Sequence, residues 1–216
     1  MNPTSTLSEK SLIENCINGN RRSQKELYDM FSPKMYAICL RYAKNQMDAE
    51  DILQDAFVKL FNNLYKFRGE GSFEGWVRRI FVNTAIEHLR KNNVKFSDSE
   101  GFENVIADKQ KSALDGLYEK DLIKTSMQLS EGYRTVFSLY AIEGYSHKEI
   151  ALRLGITEST SKSQFSRAKA ILRDVLQHKN DKKSISVGYR LVNKVFSQPS
   201  KSRFLCFWAI NFSKHL

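Results

Sequence analysis

An all-α fold of two small helical domains is what this 216-residue sequence predicts, and three observations carry the prediction. Proline occurs only at Pro3, Pro33 and Pro199, so little obstructs a helical backbone across the long middle of the chain. Apolar residues recur through that middle with a helical period. Between two such blocks the pattern dissolves. "FSDSEGFENVIADKQKSALD", residues 96–115, carries five acids and two bases and has no helical period, which reads as a linker.

The elements follow in order. Residues 8–18 form a short amphipathic lead-in. Residues 24–44 form a long helix with a possible bend at Pro33. Residues 48–63 and 73–91 form two more helices, separated by "LYKFRGEGS", which contains Gly69 and Gly71, with Gly75 just after it. A second helical block runs over 117–176, with breaks at Gly132, Gly144 and Gly155. The remaining chain is basic, then aromatic. The division is therefore a lead-in over 1–23, a helical domain over 24–95, an acidic linker over 96–116, a second helical domain over 117–178 and a tail over 179–216.

Charge needs the same division. The net charge is +10, which suggests an acidic partner such as nucleic acid. However, residues 177–216 hold +7 of it, so the body must be judged by where its charges stand. Cys16, Cys39 and Cys206 are scattered and neither they nor the histidines show metal-ligand spacing, so free thiols in a reducing compartment are expected. The N-terminus lacks a basic-then-apolar signal pattern. No apolar run reaches the ~18 residues of a membrane span. The sequence reads as soluble and cytoplasmic, with no metal, cofactor or small-molecule substrate.

The second block contains "YSHKEIALRLGITESTSKSQFSRAKAIL". Ser146 and Glu149 have capping-box spacing, so a helix starts there. Ala151 and Gly155, four apart, suit a close helix approach and a left-handed turn residue, and Thr157 suits the next N-cap. At ~100° per residue, Ser161, Phe165, Ala168 and Leu172 share the packing stripe. The rest of the surface shows Thr160, Lys162, Ser163, Ser166, Arg167, Lys169 and Arg173, and residues 159–173 contain no acid. Short donors for base edges beside long cations for phosphates describe a helix-turn-helix recognition helix. Ser161 dissents, because a branched apolar residue is expected on a packing stripe.

In "DAEDILQDAFVKLF", Ala49, Ile52, Leu53, Ala56, Phe57, Leu60 and Phe61 share an apolar arc, opposite Asp48, Asp51, Gln54, Asp55 and Val58. An acidic strip around an exposed Val suits a basic protein partner; a plain solvated face is the alternative. The following helix is apolar over most of its circumference, with Arg79, Asn83 and Arg90 on one polar stripe and Glu87 at its edge. Before it, Tyr65, Phe67, Phe73 and Trp76 interleave with Arg68 and glycines. These aromatics suit either stacking on unpaired bases or the core, Trp76 chiefly the core. "GEGSFEG" lacks phosphate-loop spacing and follows a helix. No nucleophile–base or carboxylate pair has supporting surroundings, so no catalytic residue is assigned.

Taken in order, "DAEDILQDAF", the aromatic loop, "FEGWVRRIFVNTAIEHLR", the acidic linker and "LSEGYRTVFSLYAIEGYSHKEIALRLGITESTSKSQFSRAKAIL" strongly resemble bacterial sigma-70-family factors of the extracytoplasmic-function (ECF) subgroup, over about 26–176. The resemblance implies a sigma-2-like helical bundle and a sigma-4-like helix-turn-helix domain that bind core RNA polymerase and direct promoter-specific initiation. It implies that Asp51, Gln54, Asp55 and Val58 meet the β′ clamp helices, and that the β flap is a further polymerase contact. Phe67, Arg68, Ser72 and Phe73 match the loop that captures a base of the −10 element, and Arg79, Asn83 and Arg90 the helix that reads and melts it. Thr160, Lys162, Ser163, Ser166, Arg167 and Lys169 match the helix that enters the −35 major groove. An anti-sigma factor, often membrane-bound, is an expected partner beside promoter DNA. Glu87 stands where the family commonly has Asp, Ser161 where it has Val, and Gln164 where it has Arg. The tail beyond residue 179 has no counterpart. A free-standing helix-turn-helix regulator binding duplex DNA as a dimer is the rival reading; it leaves the acidic helix and aromatic loop without a role.

Overall fold

The computed structural model describes residues 9–91 and 126–180, which form helices and turns with no strand among them. The expected all-α class is what the described residues show. The chain divides into two compact units, Met1–Asn93 and Val94–Leu216. The acidic linker, the start of the second helical block and the tail from residue 181 lie outside the described residues.

The first unit contains α1 (Glu9–Ile17), α2 (Arg21–Leu40), α3 (Gln46–Asn63), a 3-10 turn (Leu64–Lys66) and α4 (Phe73–Lys91). Two asparagines set helix starts earlier than expected. Asn20 Oδ1 accepts from the Ser23 N–H at 3.0 Å, and Asn45 Oδ1 accepts from the Asp48 N–H at 2.9 Å. Each side chain satisfies an N–H that the first helical turn leaves unpaired. At its far end α2 stops at Leu40 rather than 44. The N–H groups of Tyr42 and Ala43 both donate to Cys39 O at 3.0 Å, so the chain turns while both side chains stay buried. The apolar period thus outruns the helix. α2 continues through Pro33, which is exposed.

The core of this unit follows from rows spaced four apart. Leu27, Phe31 and Met35 of α2, Ile52, Ala56 and Leu60 of α3, and Val77, Phe81 and Ala85 of α4 are all buried. Phe57 meets Phe81 edge-on at 5.0 Å. Each such large side chain contributes about 1.5–3 kcal/mol relative to exposure. Leu12, Ile13 and Cys16 are the buried side of α1, which packs on α2. Cys16 and Cys39 are buried free thiols, and burial pushes the Cys39 thiol up to about 12, far from a reactive thiolate.

The second unit contains α5 (Glu131–Phe137), continued by a π-helical turn (Ser138–Ile142), then α6 (His147–Leu154) and α7 (Glu158–Asn180). Gly132 is not a break. It lies inside the first turn of α5, behind Ser130 at the N-cap position. Gly144 and Gly155 are breaks, with φ of +75° and +69°. Leu129, Tyr133 and Phe137 pack against Ala168 and Leu172 of α7, with Phe165 and Ile171 partly buried beside them. Among the described residues no helix is long and apolar enough to cross a membrane.

Candidate nucleic-acid interface

The α6–turn–α7 unit is built by local chemistry. Ser146 and Glu149 close a reciprocal cap: the Ser146 N–H donates to Glu149 Oε2 at 2.8 Å, and the Glu149 N–H donates to Ser146 Oγ at 3.3 Å. α6 ends at Gly155 in the left-handed region, where the Ile156 N–H donates to Ala151 O at 3.1 Å. A Cβ at Gly155 would meet nothing within 4 Å. Backbone conformation, not space, is therefore what requires glycine there. Thr157 Oγ1 accepts from the Thr160 N–H at 3.0 Å, which starts α7.

On α7 the two faces separate as expected, with one addition. Ser161, Ala168 and Leu172 are fully buried and Phe165 is half-buried. Gln164 joins them at the core, although nothing in its polar side chain announced this. Ser161 is accommodated by His147: its Oγ lies 2.9 Å from Nδ1 of that ring. Lys162, Ser166 and Arg167 are exposed, while Thr160, Ser163 and Lys169 are half-exposed. Thr160 and Ser163 also make local bonds. The Thr160 hydroxyl lies 2.8 Å from that of Thr157, and Ser163 Oγ donates to Thr160 O at 3.0 Å. Lys162 pairs with Glu158 at 2.7 Å, and this hydrogen bond holds the Glu158 carboxyl below its usual range. That acid lies one residue before the acid-free stretch, so it tempers the basic face at its N-terminal edge.

In the first unit, Asp51, Gln54, Asp55 and Val58 are all exposed on α3, and their apolar opposites are buried except Phe61, which is half-buried. Asp48 departs from the strip. It is half-buried, with Oδ1 3.8 Å from Nε2 of His88 on α4. On α4, Arg79 and Arg90 are exposed and Asn83 is half-exposed. Glu87 at the stripe's edge pairs with Lys59 of α3 at 2.6 Å, which offsets an acid beside the two arginines.

The aromatic loop requires a correction. Phe73 is only 2 % exposed. Its ring packs edge-on to Phe31 at 5.6 Å and Phe67 at 5.0 Å, and stacks with Trp76 at 6.0 Å. A ring so enclosed has no open face for a base, and Phe73 instead supports Phe67. Phe67 is half-exposed, as is Trp76, 5.5 Å away, which was expected to be mainly core. Ser72 Oγ accepts from the Gly75 N–H at 3.3 Å and so starts α4. Arg68 is exposed between Phe67 and Gly69, whose φ is +74°.

Residues 27–94 match the family described as Sigma-70 region 2, and residues 120–172 the family described as Sigma-70, region 4. The chain belongs to the sigma-70 family, ECF subgroup. It is similar to the RNA polymerase sigma-H factor of Pseudomonas aeruginosa, with 29 % identity over 78 % of this chain and 94 % of that one. It is similar also to the ECF RNA polymerase sigma factor SigW of Bacillus subtilis, with 28 % identity over 78 % of this chain and 96 % of the relative. Among solved structures, the sigma factor RpoE in complex with the anti-sigma factor NepR from Bartonella quintana matches at 25 % identity and a TM-score of 0.42, over 71 % of this chain and 96 % of that one. As a sigma factor the chain directs promoter-specific transcription. The family's members are initiation factors rather than enzymes.

Proposed function

We propose that this sigma factor divides its work among three surfaces. The exposed acids of α3, with Gln54 and Val58, dock on the β′ clamp helices of core polymerase. Phe67, Arg68, Arg79, Asn83 and Arg90 engage the −10 element, with Ser72 and Phe73 shaping that loop from behind. Thr160, Lys162, Ser163, Ser166, Arg167 and Lys169 engage the −35 element. The observation that carries the reading is the two-faced α7. Its buried side is fastened to α5 and α6, while its other side offers hydroxyls and cations over an acid-free run. In this reading residues 24–95 and 117–178 are the two working domains, the protein acts in the cytoplasm, and an anti-sigma factor holds it when it is not needed. It has no catalytic activity of its own.

The test is co-elution of the full chain with bacterial core RNA polymerase, beside a variant with Asp51, Gln54 and Asp55 all changed to Ala. Co-elution of the wild type that is lost in the variant supports the α3 surface. A folded protein that does not co-elute, yet footprints a duplex site by itself as a dimer, favours the free-standing regulator instead.

A further inference from the structure

The polymerase-facing side of α3 holds more than the acidic strip. Met47, Val58 and Tyr65 are 75 %, 59 % and 65 % exposed, and they are the exposed large apolar side chains of α3 and the 3-10 turn that continues it. Single exposed apolar residues need no explanation. These three lie along one helix and the turn after it. At ~100° per residue, Met47, Asp51, Gln54, Val58 and Asn62 fall within about 80° of one another on α3, and Tyr65 stands exposed in the 3-10 turn that follows. These residues of α3 include no cation, and at ~1.5 Å per residue α3 runs for about 24 Å from Met47 to Asn63; at the far end Lys66 Nζ lies 5.5 Å from the Tyr65 ring centroid.

The frame beneath it is rigid. Ile52, Ala56, Leu60 and Leu64 are buried at one-turn intervals along the opposite side. Tyr65 lies in a closed 3-10 turn, where the Phe67 N–H donates to Leu64 O at 3.1 Å. Tyr65 is also cheap to immobilise, having two side-chain torsions and a large surface that is apolar with one polar tip. Exposed apolar side chains at Met47, Val58 and Tyr65, with Asp51 and the flanking Asp55 between the first two, describe a contact line for an elongated partner that is basic opposite the first half of α3 and apolar beyond it.

We infer that Met47 and Tyr65 are the two end anchors of the core-polymerase docking surface, so that the interface runs the full length of α3 instead of centring on Asp51–Val58 alone. The inference rests on the α3 docking reading above. It commits to polymerase because Met47 shares that surface, Tyr65 follows it in the next turn, and its acids ask for a basic partner. It accounts for Tyr65 without the −10 loop, whose aromatics Phe67, Phe73 and Trp76 pack on one another and leave Tyr65 outside the cluster.

The experiment measures affinity of the full chain for core polymerase by fluorescence anisotropy, and opening of a promoter fragment by the same holoenzymes at saturating sigma. Met47→Ser and Tyr65→Ala are each expected to raise the dissociation constant about fivefold or more, as interface anchors do on truncation. Met30→Ser, which removes an exposed apolar side chain from α2, is expected to leave it unchanged. The inference is overturned if Met47→Ser and Tyr65→Ala bind like wild type while the Asp51, Gln54 and Asp55 triple variant is still weakened. It is equally overturned if Tyr65→Ala binds core normally and loses promoter opening, which would make Tyr65 a nucleic-acid contact. If the triple variant itself keeps full affinity, the α3 docking reading fails first.

Discussion

Nδ1 of His147, the first residue of α6, lies 2.9 Å from Oγ of Ser161 on α7. The ring is held between Tyr140, stacked at 4.3 Å, and Phe165, tilted at 5.8 Å. A hydroxyl on a packing stripe is therefore not a defect. It joins the two helices of the helix-turn-helix, one of which carries the proposed −35 contacts. A net hydrogen bond of this kind contributes about 0.5–1.5 kcal/mol. A double-mutant cycle of His147→Phe and Ser161→Ala, read from urea unfolding of the second unit by α6 and α7 amide resonances, is expected to return a coupling of that size. Zero coupling would show that the two side chains merely coexist.

The same ring sets a pH dependence. Burial, then the Lys162 charge, hold the His147 imidazole below its ordinary 6.5, with Glu158 acting weakly the other way. The folded state thus prefers the neutral ring, and the unfolded chain binds the extra proton. Its contribution is fully present above about 6.5 and is lost as pH falls from there through the lowered folded pKa. A proton NMR titration of the ring in the folded chain checks this. A midpoint at or above 6.5 contradicts it.

At Gly155 the surroundings are empty but φ is +69°. Gly155→Ala is expected to destabilise the second unit by about 1–2 kcal/mol through the backbone alone. Gly155→Asn is expected to cost less, because Asn tolerates the left-handed region. Thermal unfolding of the three proteins gives the order. Equal losses for Ala and Asn would point to a steric cause.

Phe67 and Phe73 are expected to fail differently. Phe73→Ala opens a cavity among Phe31, Phe67 and Trp76 and is expected to destabilise the first unit by about 3–5 kcal/mol. Phe67→Ala leaves more of that unit's stability in place and is expected to reduce promoter opening. Calorimetry beside permanganate reactivity of the melted strand separates the two. Wild-type opening by Phe67→Ala would remove it from the −10 contacts.

Arg167, exposed on α7, is expected to cost about 1–3 kcal/mol of promoter affinity when changed to Ala, with relaxed preference at one −35 position. The assay is holoenzyme binding to a set of single-base −35 variants at fixed salt, since phosphate contacts make affinity salt-dependent. A uniform loss across all variants would reduce Arg167 to a phosphate contact.

The helices and their turns were legible in the sequence where short-range chemistry sets them. Ser146 with Glu149, Thr157 ahead of α7 and Gly155 after α6 each act within about one helical turn, so spacing alone exposes them. Asn20 and Asn45 cap their helices over the same short range, although the apolar period begins later than either cap. The period misleads at Tyr42 and Ala43, which stay buried after α2 has ended, and glycine as a breaker misleads at Gly132, which a helix start accommodates.

The sequence by itself determined the helical class, the two-faced α7, the acidic side of α3 and the sigma-70 resemblance. All of these depend on periodicity and on residue order along the chain. Only the tertiary structure decided that Phe73 is enclosed by Phe31 and Trp76, that Ser161 finds His147, that Gln164 turns inward, and that Asp48 leaves the acidic strip for His88. It also decided that Met47, Val58 and Tyr65 stand uncovered along α3 and the turn after it. The reason is physical. A helical period tells which residues share a side, but whether that side is buried depends on what another segment, distant in sequence, lays against it.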